Sequence, residues 1–190
     1  MILRAAADEL SLVTSVEDFT INLVARRVGL AKGTVYLYYK SKTALLLELL
    51  GDAVESLHID LSTRFSKLPE PLTAKQAARV LQECLIISAT SRRLAQLLKS
   101  LSDKEAGPSL QKFWKRTAPL MKRTDAIITG RLSGLRPGDG RKLIRYAWAL
   151  LVGFSEIEEY NKAISAPVNA DQSLKDALTL IIEGLVARGR

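Results

Sequence analysis

Residues 21–40 have the spacing of two short helices joined by a sharp turn. Gly29 stands at the turn, where a positive φ is needed and glycine adopts it without steric cost. Ala25 is small enough for two helices to cross closely over it. The positions that would face inward around the turn are Val24, Val28, Leu30, Val35 and Tyr38. This pattern predicts a helix-turn-helix over residues 20–39, whose second helix has the width to enter the DNA major groove; an ordinary helical hairpin is the alternative.

The rest of the chain also has helical periodicity, and no alternating strand pattern of useful length occurs. The predicted helices cover about 2–12, 21–28, 31–38, 41–66, 73–90, 91–101, 108–132, 139–164 and 170–187. The expected fold class is therefore all-α, with about nine helices. We expect a three-helix head, residues 1–47, that carries the helix-turn-helix, followed by a helical core, residues 48–190.

Composition argues against several classes of protein. The longest apolar run, Ala147–Phe154, has eight residues, whereas about eighteen are needed to span a bilayer, so no membrane partner is expected. The single cysteine, Cys84, cannot form a disulfide within the chain, which favours a reducing cytoplasm. No hydrolase, zinc-protease or phosphate-loop motif occurs, so we predict no enzyme and no cofactor. His58 and Asp60 would face apart on a helix, which argues against a metal site.

The net charge of +8 suits a polyanionic partner. Residues 1–50 contribute only +1, whereas residues 91–145 contribute +10. Most of the excess positive charge therefore lies far along the chain from the helix-turn-helix. It fits the solvated outer faces of helices, and it also fits a surface that attracts DNA without sequence preference or a pocket for an anionic ligand.

The last two predicted helices carry apolar stripes suited to a subunit interface. Two such helices pair with their symmetry mates to make a four-helix interface. We therefore predict a homodimer, with an interface formed by Leu150, Phe154, Leu174, Leu178, Ile181 and Leu185. The alternative is that both stripes cover the core of their own subunit.

The sequence around the turn has a set of residues in a fixed order. They are Phe19-Thr20, Val24-Ala25, Val28-Gly29-Leu30-Ala31-Lys32-Gly33-Thr34-Val35-Tyr36, Tyr38-Tyr39 and Ser41-Lys42. With this set, the first fifty residues resemble the TetR/AcrR family of transcriptional regulators. The remaining 140 residues match that family only in length, helical pattern and helix order.

The resemblance implies a homodimer with an N-terminal DNA-binding head and a C-terminal ligand-sensing core. Members of the family are usually repressors that leave their operator when a small molecule binds between the core helices. The resemblance therefore predicts a ligand-responsive regulator of a palindromic double-stranded DNA operator, located in the cytoplasm with the nucleoid. The alternative is a DNA-binding regulator whose core binds a protein partner or no ligand.

Six of the predicted DNA contacts lie on the second helix of the motif, the recognition helix. They are Lys32, Gly33, Thr34, Tyr36, Leu37 and Tyr38. Gly33 lets the backbone approach DNA closely, and Thr34 can meet a base edge, a phosphate or a thymine methyl. For Tyr36 and Tyr38 the resemblance implies contacts to phosphates or to the groove edge, although Tyr38 also fits an inward position. Lys32, Thr34 and Leu37 would carry sequence information.

Two further predicted contacts lie at the N-termini of other helices. Thr20 precedes the second helix, and Lys42 follows Ser41 at the start of the fourth. Unpaired amides and the positive end of the helix dipole suit a phosphate at such positions. We therefore predict that both residues anchor the DNA backbone.

The resemblance places the ligand pocket among the helices predicted at about 42–65, 73–90, 108–132 and 141–164. An apolar and aromatic lining with a few polar groups suits a small molecule. The candidate lining residues are His58, Glu83, Cys84, Phe113, Trp114, Met121, Trp148 and Phe154. Each of them also fits an ordinary core position.

Overall fold

The structure is a computed structural model and describes residues 1–13, 15–86, 103–163 and 169–189. Within these ranges it contains eight α-helices and no strand, so the all-α prediction is confirmed. The helices are α1 (Ile2–Leu12), α2 (Ile21–Arg27), α3 (Lys32–Tyr38), α4 (Lys42–Ser66), α5 (Ala74–Ile86), α6 (Asp103–Arg131), α7 (Asp139–Ala163) and α8 (Ala170–Gly189). None of the described helices is long and apolar enough to cross a membrane.

Seven of the eight helices begin within one residue of the predicted position, because their start signals are local in sequence. The exception is α6, which begins at Asp103. Pro108, the expected first residue of this helix, lies in its second turn, where the missing N–H removes one backbone hydrogen bond without ending the helix. The helix predicted at 91–101 lies outside the described residues.

The chain divides into two compact units. The first unit comprises Met1–Val54 and Ser88–Thr117, and residues 103–117 of the latter stretch are described. The second unit comprises Glu55–Ile87 and Ala118–Arg190. The first unit therefore contains the predicted head, the first turns of α4 and the first half of α6.

In the first unit, α2 packs against both α1 and α3. The apolar side chains that hold these helices and the start of α4 together include Ala6, Leu10, Phe19, Val24, Val35 and Leu45. Arg27 of α2 adds an ion pair to α1, since its Nε lies 2.5 Å from the Glu9 carboxylate. α3 is held against α2 by its inner side, where Val35 is buried.

In the second unit, α8 packs against α5 and α7, and α5 also packs against α7. The largest fully buried side chains at their centre are Phe65, Leu61, Leu81, Ile128, Leu132 and Leu143. Two carboxylates, Asp125 and Asp139, are buried in the same unit. Buried charges require partners, and both carboxylates have them.

Asp139 joins the start of α7 to the end of α8. Its carboxylate accepts hydrogen bonds from the Arg136 amide at 2.9 Å, the Lys142 ammonium at 3.0 Å and the Arg188 guanidinium at 2.8 Å. Burial raises the pKa of this group, but the bonds from Arg136, Lys142 and Arg188 outweigh burial and lower the pKa to about 2. The group is therefore a carboxylate at neutral pH.

Asp125 of α6 caps the first turn of α7 from the neighbouring helix. Its carboxylate accepts bonds from the amides of Gly138 at 2.9 Å and Arg141 at 3.2 Å. Gly140 lies between them, and a Cβ at this position would come within 2.9 Å of the Asp125 backbone. Glycine is required there because the two helices meet backbone to backbone.

Candidate nucleic-acid interface

The recognition helix α3 is buried on one side and open on the other. Val35 is fully buried, whereas the side chains of Leu37 and Tyr38 are 72% and 70% exposed. The turn before the helix has the predicted form, because Gly29 has a φ of +67° and the Leu30 amide donates to the Ala25 carbonyl at 2.9 Å. Tyr38, which also fitted an inward position, is therefore a surface residue.

The first turn of α3 presents the polar residues that were predicted to contact DNA. Lys32, Gly33 and Tyr36 are exposed, and Thr34 is partly exposed. The Lys32 ammonium lies 5.9 Å from the centre of the Tyr36 ring, within the range of a cation–π contact. A Cβ at Gly33 would meet nothing within 4 Å, so the space in front of the helix is open.

Thr20 is exposed and caps α2, since its hydroxyl accepts a bond from the Leu23 amide at 3.3 Å. Ser41 caps α4 in the same way through the Ala44 amide at 3.0 Å. Serine and threonine are the residues that such N-cap positions favour. Thr20 is exposed, as a residue that contacts phosphate must be, and the phosphate contact itself stays a prediction.

Lys42 has a structural role that its position alone did not predict. Its ammonium donates to the carbonyls of Val16 at 2.7 Å and Glu17 at 3.2 Å, which fastens the α1–α2 connection to the start of α4. Burial lowers the pKa of Lys42, while Glu17 and Asp18 act in the opposite direction. Two of the three ammonium donors are thus used within the head.

A set of ion pairs joins α4 to α6 within the first unit. Glu48, Gly51 and Asp52 occupy one face of α4, and we call these three residues the Arg116 seat. The Arg116 guanidinium of α6 lies 2.6 Å from the Asp52 carboxylate and 3.4 Å from that of Glu48. The Lys112 ammonium also pairs with Glu48.

Gly51 is the position that lets Arg116 approach α4. A Cβ on Gly51 would lie 2.8 Å from Nη1 of Arg116 and 3.3 Å from its Cζ. Sequence reasoning missed this arrangement. A glycine between two carboxylates one helical turn apart was the signal for a close approach, but the partner lies more than 60 residues along the chain and has no local signature.

The seat borders a cleft of about 180 Å³ in the first unit. The cleft is lined by Tyr38, Tyr39, Lys40, Ala44, Leu47, Glu48, Ser109, Lys112, Phe113 and Arg116. Burial, and then the Glu48 and Asp52 carboxylates, raise the pKa of Tyr39. The residues that end the recognition helix therefore lie close to the Arg116 seat.

Four of the candidate ligand residues gather in the core of the second unit. Cys84 is buried there, and Met121, Trp148 and Phe154 pack against the same cluster. Burial raises the pKa of the Cys84 thiol to about 11, so the thiol is protonated at neutral pH. His58 adds a polar group to this unit, because its Nδ1 lies 2.8 Å from the hydroxyl of the buried Thr124.

The other three candidate ligand residues lie elsewhere. Glu83 is on the surface, where its carboxylate pairs with Arg64 at 2.8 Å and with Arg79 at 3.6 Å. Phe113 lines the cleft of the first unit, and Trp114 packs against it edge to face with 53% of its own surface exposed. The candidate set is therefore divided between the core of the second unit, its surface and the first unit.

The six predicted dimer residues lie in or against the core of the second unit. Leu174 and Leu178 are buried in the core of their own subunit, so these two side chains are unavailable to a partner. The other four are partly buried against the same core: Leu150, Phe154, Ile181 and Leu185. This burial fits the alternative, in which the regular apolar stripe of α8 covers the core of its own subunit, and the dimer interface stays a prediction.

Exposed apolar side chains occur on the outer faces of the same two helices. Tyr146 and Ile157 of α7 and Leu180 of α8 are 44%, 47% and 69% exposed. Sequence reasoning missed these three residues because it assigned each helix a single apolar stripe. Contiguous exposed apolar patches are typical of contact surfaces, whereas single exposed apolar residues occur on most proteins.

The described residues contain no group of three or more histidine, cysteine or acidic side chains arranged to hold a metal ion. They do contain a second, open groove of about 440 Å³ in the second unit. It is bordered by Leu72, Thr73, Leu132, Glu183 and Val186, none of which is a candidate ligand residue.

Comparisons with known proteins agree with the geometry of the head. Residues 2–49 match the sequence profile of the family described as "Bacterial regulatory proteins, tetR family". No curated protein has a significantly similar sequence.

Solved structures of low sequence identity share the fold over almost the whole chain. FadR from Bacillus subtilis in complex with stearoyl-CoA is 19% identical, with a TM-score of 0.60, covering 98% of this chain and 97% of that protein. A TetR variant from Acinetobacter baumannii in complex with minocycline is 20% identical, with a TM-score of 0.57 and coverages of 96% and 93%. The TetR family repressor AlkX from a Dietzia strain is 16% identical, with a TM-score of 0.58 and coverages of 100% and 95%. Residues 2–49 are therefore a helix-turn-helix domain of the tetR family, and the chain has the fold of TetR-family transcriptional regulators.

Proposed function

We propose that the chain is a homodimeric repressor that binds a palindromic DNA operator and releases it when a small molecule binds to its core. The outer face of α3 carries this proposal. Leu37 and Tyr38 stand out into solvent, while Val35 on the same helix is fully buried. A helix that is anchored on one side and open on the other is what insertion into the major groove requires.

The residues on the exposed face of α3 support two kinds of contact, one to base edges and one to phosphates. Lys32, Thr34 and Leu37 would meet base edges, with Gly33 allowing close approach of the backbone. Exposed Tyr36 and Thr20 would bond phosphates and set the register of the head on the duplex. The role is one of binding, and no catalytic step is part of it.

The core of the second unit supports the sensing role. Trp148, Met121 and Phe154 supply apolar surface against the core cluster that includes Cys84, and the His58–Thr124 pair supplies a hydrogen-bonding group. Such a combination suits an effector that is mostly apolar with one polar end. Two neighbours of the same fold were solved with small molecules of different chemistry, stearoyl-CoA in one and minocycline in the other.

The DNA-binding part is tested by selecting operators from a random duplex library with the purified full-length protein. We expect a palindromic consensus, and the Lys32→Ala variant should bind the selected operator about tenfold more weakly or worse. Lys122→Ala is the matched control, since Lys122 is an exposed lysine of the second unit. Enrichment of no sequence, or equal effects of both variants, contradicts the proposal.

The effector part is tested on the selected operator with stearoyl-CoA and minocycline as probes. Release of DNA by either probe, and loss of that release in Trp148→Ala, would support a pocket in the second unit. A ligand releases DNA only by as much as it prefers the DNA-free state, so binding without release argues against the repressor mechanism. The absence of both binding and release favours a core that senses a protein partner or nothing.

A further inference from the structure

The Arg116 seat has three properties that a chance surface ion pair lacks. The guanidinium bridges the carboxylates of Glu48 and Asp52, which stand one helical turn apart on α4. It passes over Gly51, where a Cβ would lie 2.8 Å from Nη1, so a larger residue there would shift the end of the Arg116 side chain. Lys112 pairs with Glu48 from the next turn of α6. The rigid planar fork of guanidinium donors is pre-organised to reach both carboxylates at once, whereas an ammonium at this position would act as a point charge on a flexible stem.

The seat also lies beside the end of the recognition helix. Tyr39, which follows α3 directly, lines the cleft together with Glu48 and Arg116. Leu45 and Leu46, in the preceding turn of α4, are fully buried in the first unit. Only residues 39–41 separate the end of α3 from the start of α4, so a displacement of the first turns of α4 moves the end of α3 with it.

We infer that Arg116 is a positioning residue for DNA binding, which fixes the first turns of α4, and with them the end of α3, against α6. This inference rests on the proposed function, because it concerns the placement of the recognition helix on an operator. In a dimer, a fixed head accepts one separation of the two half-sites. A loosened head accepts several, at the expense of affinity for the best one.

Gly51→Ala and Arg116→Ala disturb the seat in two different ways. Gly51→Ala displaces the guanidinium while it keeps every charge, and it favours the helical state of α4, because alanine is a better helix former than glycine. Arg116→Ala removes the guanidinium itself. Lys115→Ala is the matched control, since it removes a neighbouring exposed cation of α6 that does not line the cleft.

The readout is the affinity of the full-length dimer for the selected operator and for duplexes with one base pair inserted or removed between the half-sites. Each inserted pair moves one half-site by about 3.4 Å and turns it by about 35°. Gly51→Ala and Arg116→Ala should weaken binding to the original operator about tenfold, and binding to the altered duplexes by less than about threefold. Lys115→Ala should leave the preference for one spacing unchanged.

Thermal unfolding separates positioning from plain stability. We expect Gly51→Ala to unfold at the same or a higher temperature than the wild type, yet to lose spacing preference. The double variant should be no worse than Arg116→Ala alone, because both changes act on one contact. Equal losses on all duplexes, or an unchanged preference in Gly51→Ala, would overturn the inference. If the wild type selects no operator at all, the proposed function fails first, and the inference fails with it.

Discussion

A single carboxylate, Asp139, ties together two helix ends of the second unit, and its charge makes that contact measurable. Its pKa of about 2 compares with 3.8 for an unperturbed carboxyl. This difference corresponds to about 2 kcal/mol in favour of the folded state at neutral pH. We expect Asp139→Asn to lower the free energy of unfolding in urea by about that amount at pH 7. Asp171→Asn, an exposed carboxylate at the start of α8, is the control.

The same group has a defined pH dependence. Because folding lowers its pKa, the folded state binds fewer protons than the unfolded state, and the contribution is complete only above about pH 4. It is lost as the pH falls towards 2. The gap in stability between wild type and Asp139→Asn should therefore close over this interval. A gap of constant size at every pH would show that the charge of Asp139 is not its cause.

Lys42 allows a second test at the scale of one residue. If its ammonium contacts phosphate, Lys42→Ala should weaken binding to all DNA sequences alike and reduce the slope of log affinity against log salt by about 0.9. The bonds to Val16 and Glu17 suggest a parallel, smaller loss of head stability. The measurement is a salt titration of operator binding, with Lys122→Ala as the control. An unchanged slope together with lower stability would make Lys42 a purely structural residue of the head.

At the scale of the helix, Gly140 and Gly130 allow a controlled comparison, because one lies in a tight contact and the other faces open space. Gly140 touches the Asp125 backbone across the α6–α7 contact, whereas a Cβ on Gly130 of α6 would meet nothing within 4 Å. Gly140→Ala should destabilise the protein by about 1–3 kcal/mol, because backbone cannot move aside as a side chain can. Gly130→Ala should be neutral or stabilise by up to about 1 kcal/mol. Urea unfolding measures both, and equal effects would mean that the two helices separate freely.

Contacts within one helix end or turn could be predicted from the sequence, whereas contacts between different helices could not. Gly29, Thr20 and Ser41 act through neighbours within a few residues, so their roles in the turn and in the caps could be predicted. The Arg116 seat and the Asp125 cap join residues on different helices, and no local pattern marks such pairs. The exposure of Leu37 agrees with its predicted contact to DNA, whereas the exposure of Leu180 was not predicted, because this residue lies outside the regular apolar stripe of α8.

At the scale of the whole molecule, the exposed residues on α7 and α8 bear on the proposed dimer. We expect Leu180→Glu to weaken dimerisation by at least about 2 kcal/mol, roughly thirtyfold, since it would bury an unpaired carboxylate at the interface. Ile157→Glu should act in the same direction. Analytical ultracentrifugation measures the shift towards a single chain. Ile59→Glu, an exposed isoleucine of α4, is the control, and a fully dimeric Leu180→Glu would rule out this surface.

The burial of Cys84 makes the chain suitable for site-specific spectroscopy. It is the only cysteine, and with a thiol pKa of about 11 it reacts slowly with maleimides and methanethiosulfonates at neutral pH. A thiol introduced on the surface, as in Lys40→Cys, would be labelled first, without removing the native cysteine. Spin labels placed there on both copies of a dimer would report the distance between the two recognition helices, free in solution and with an effector added.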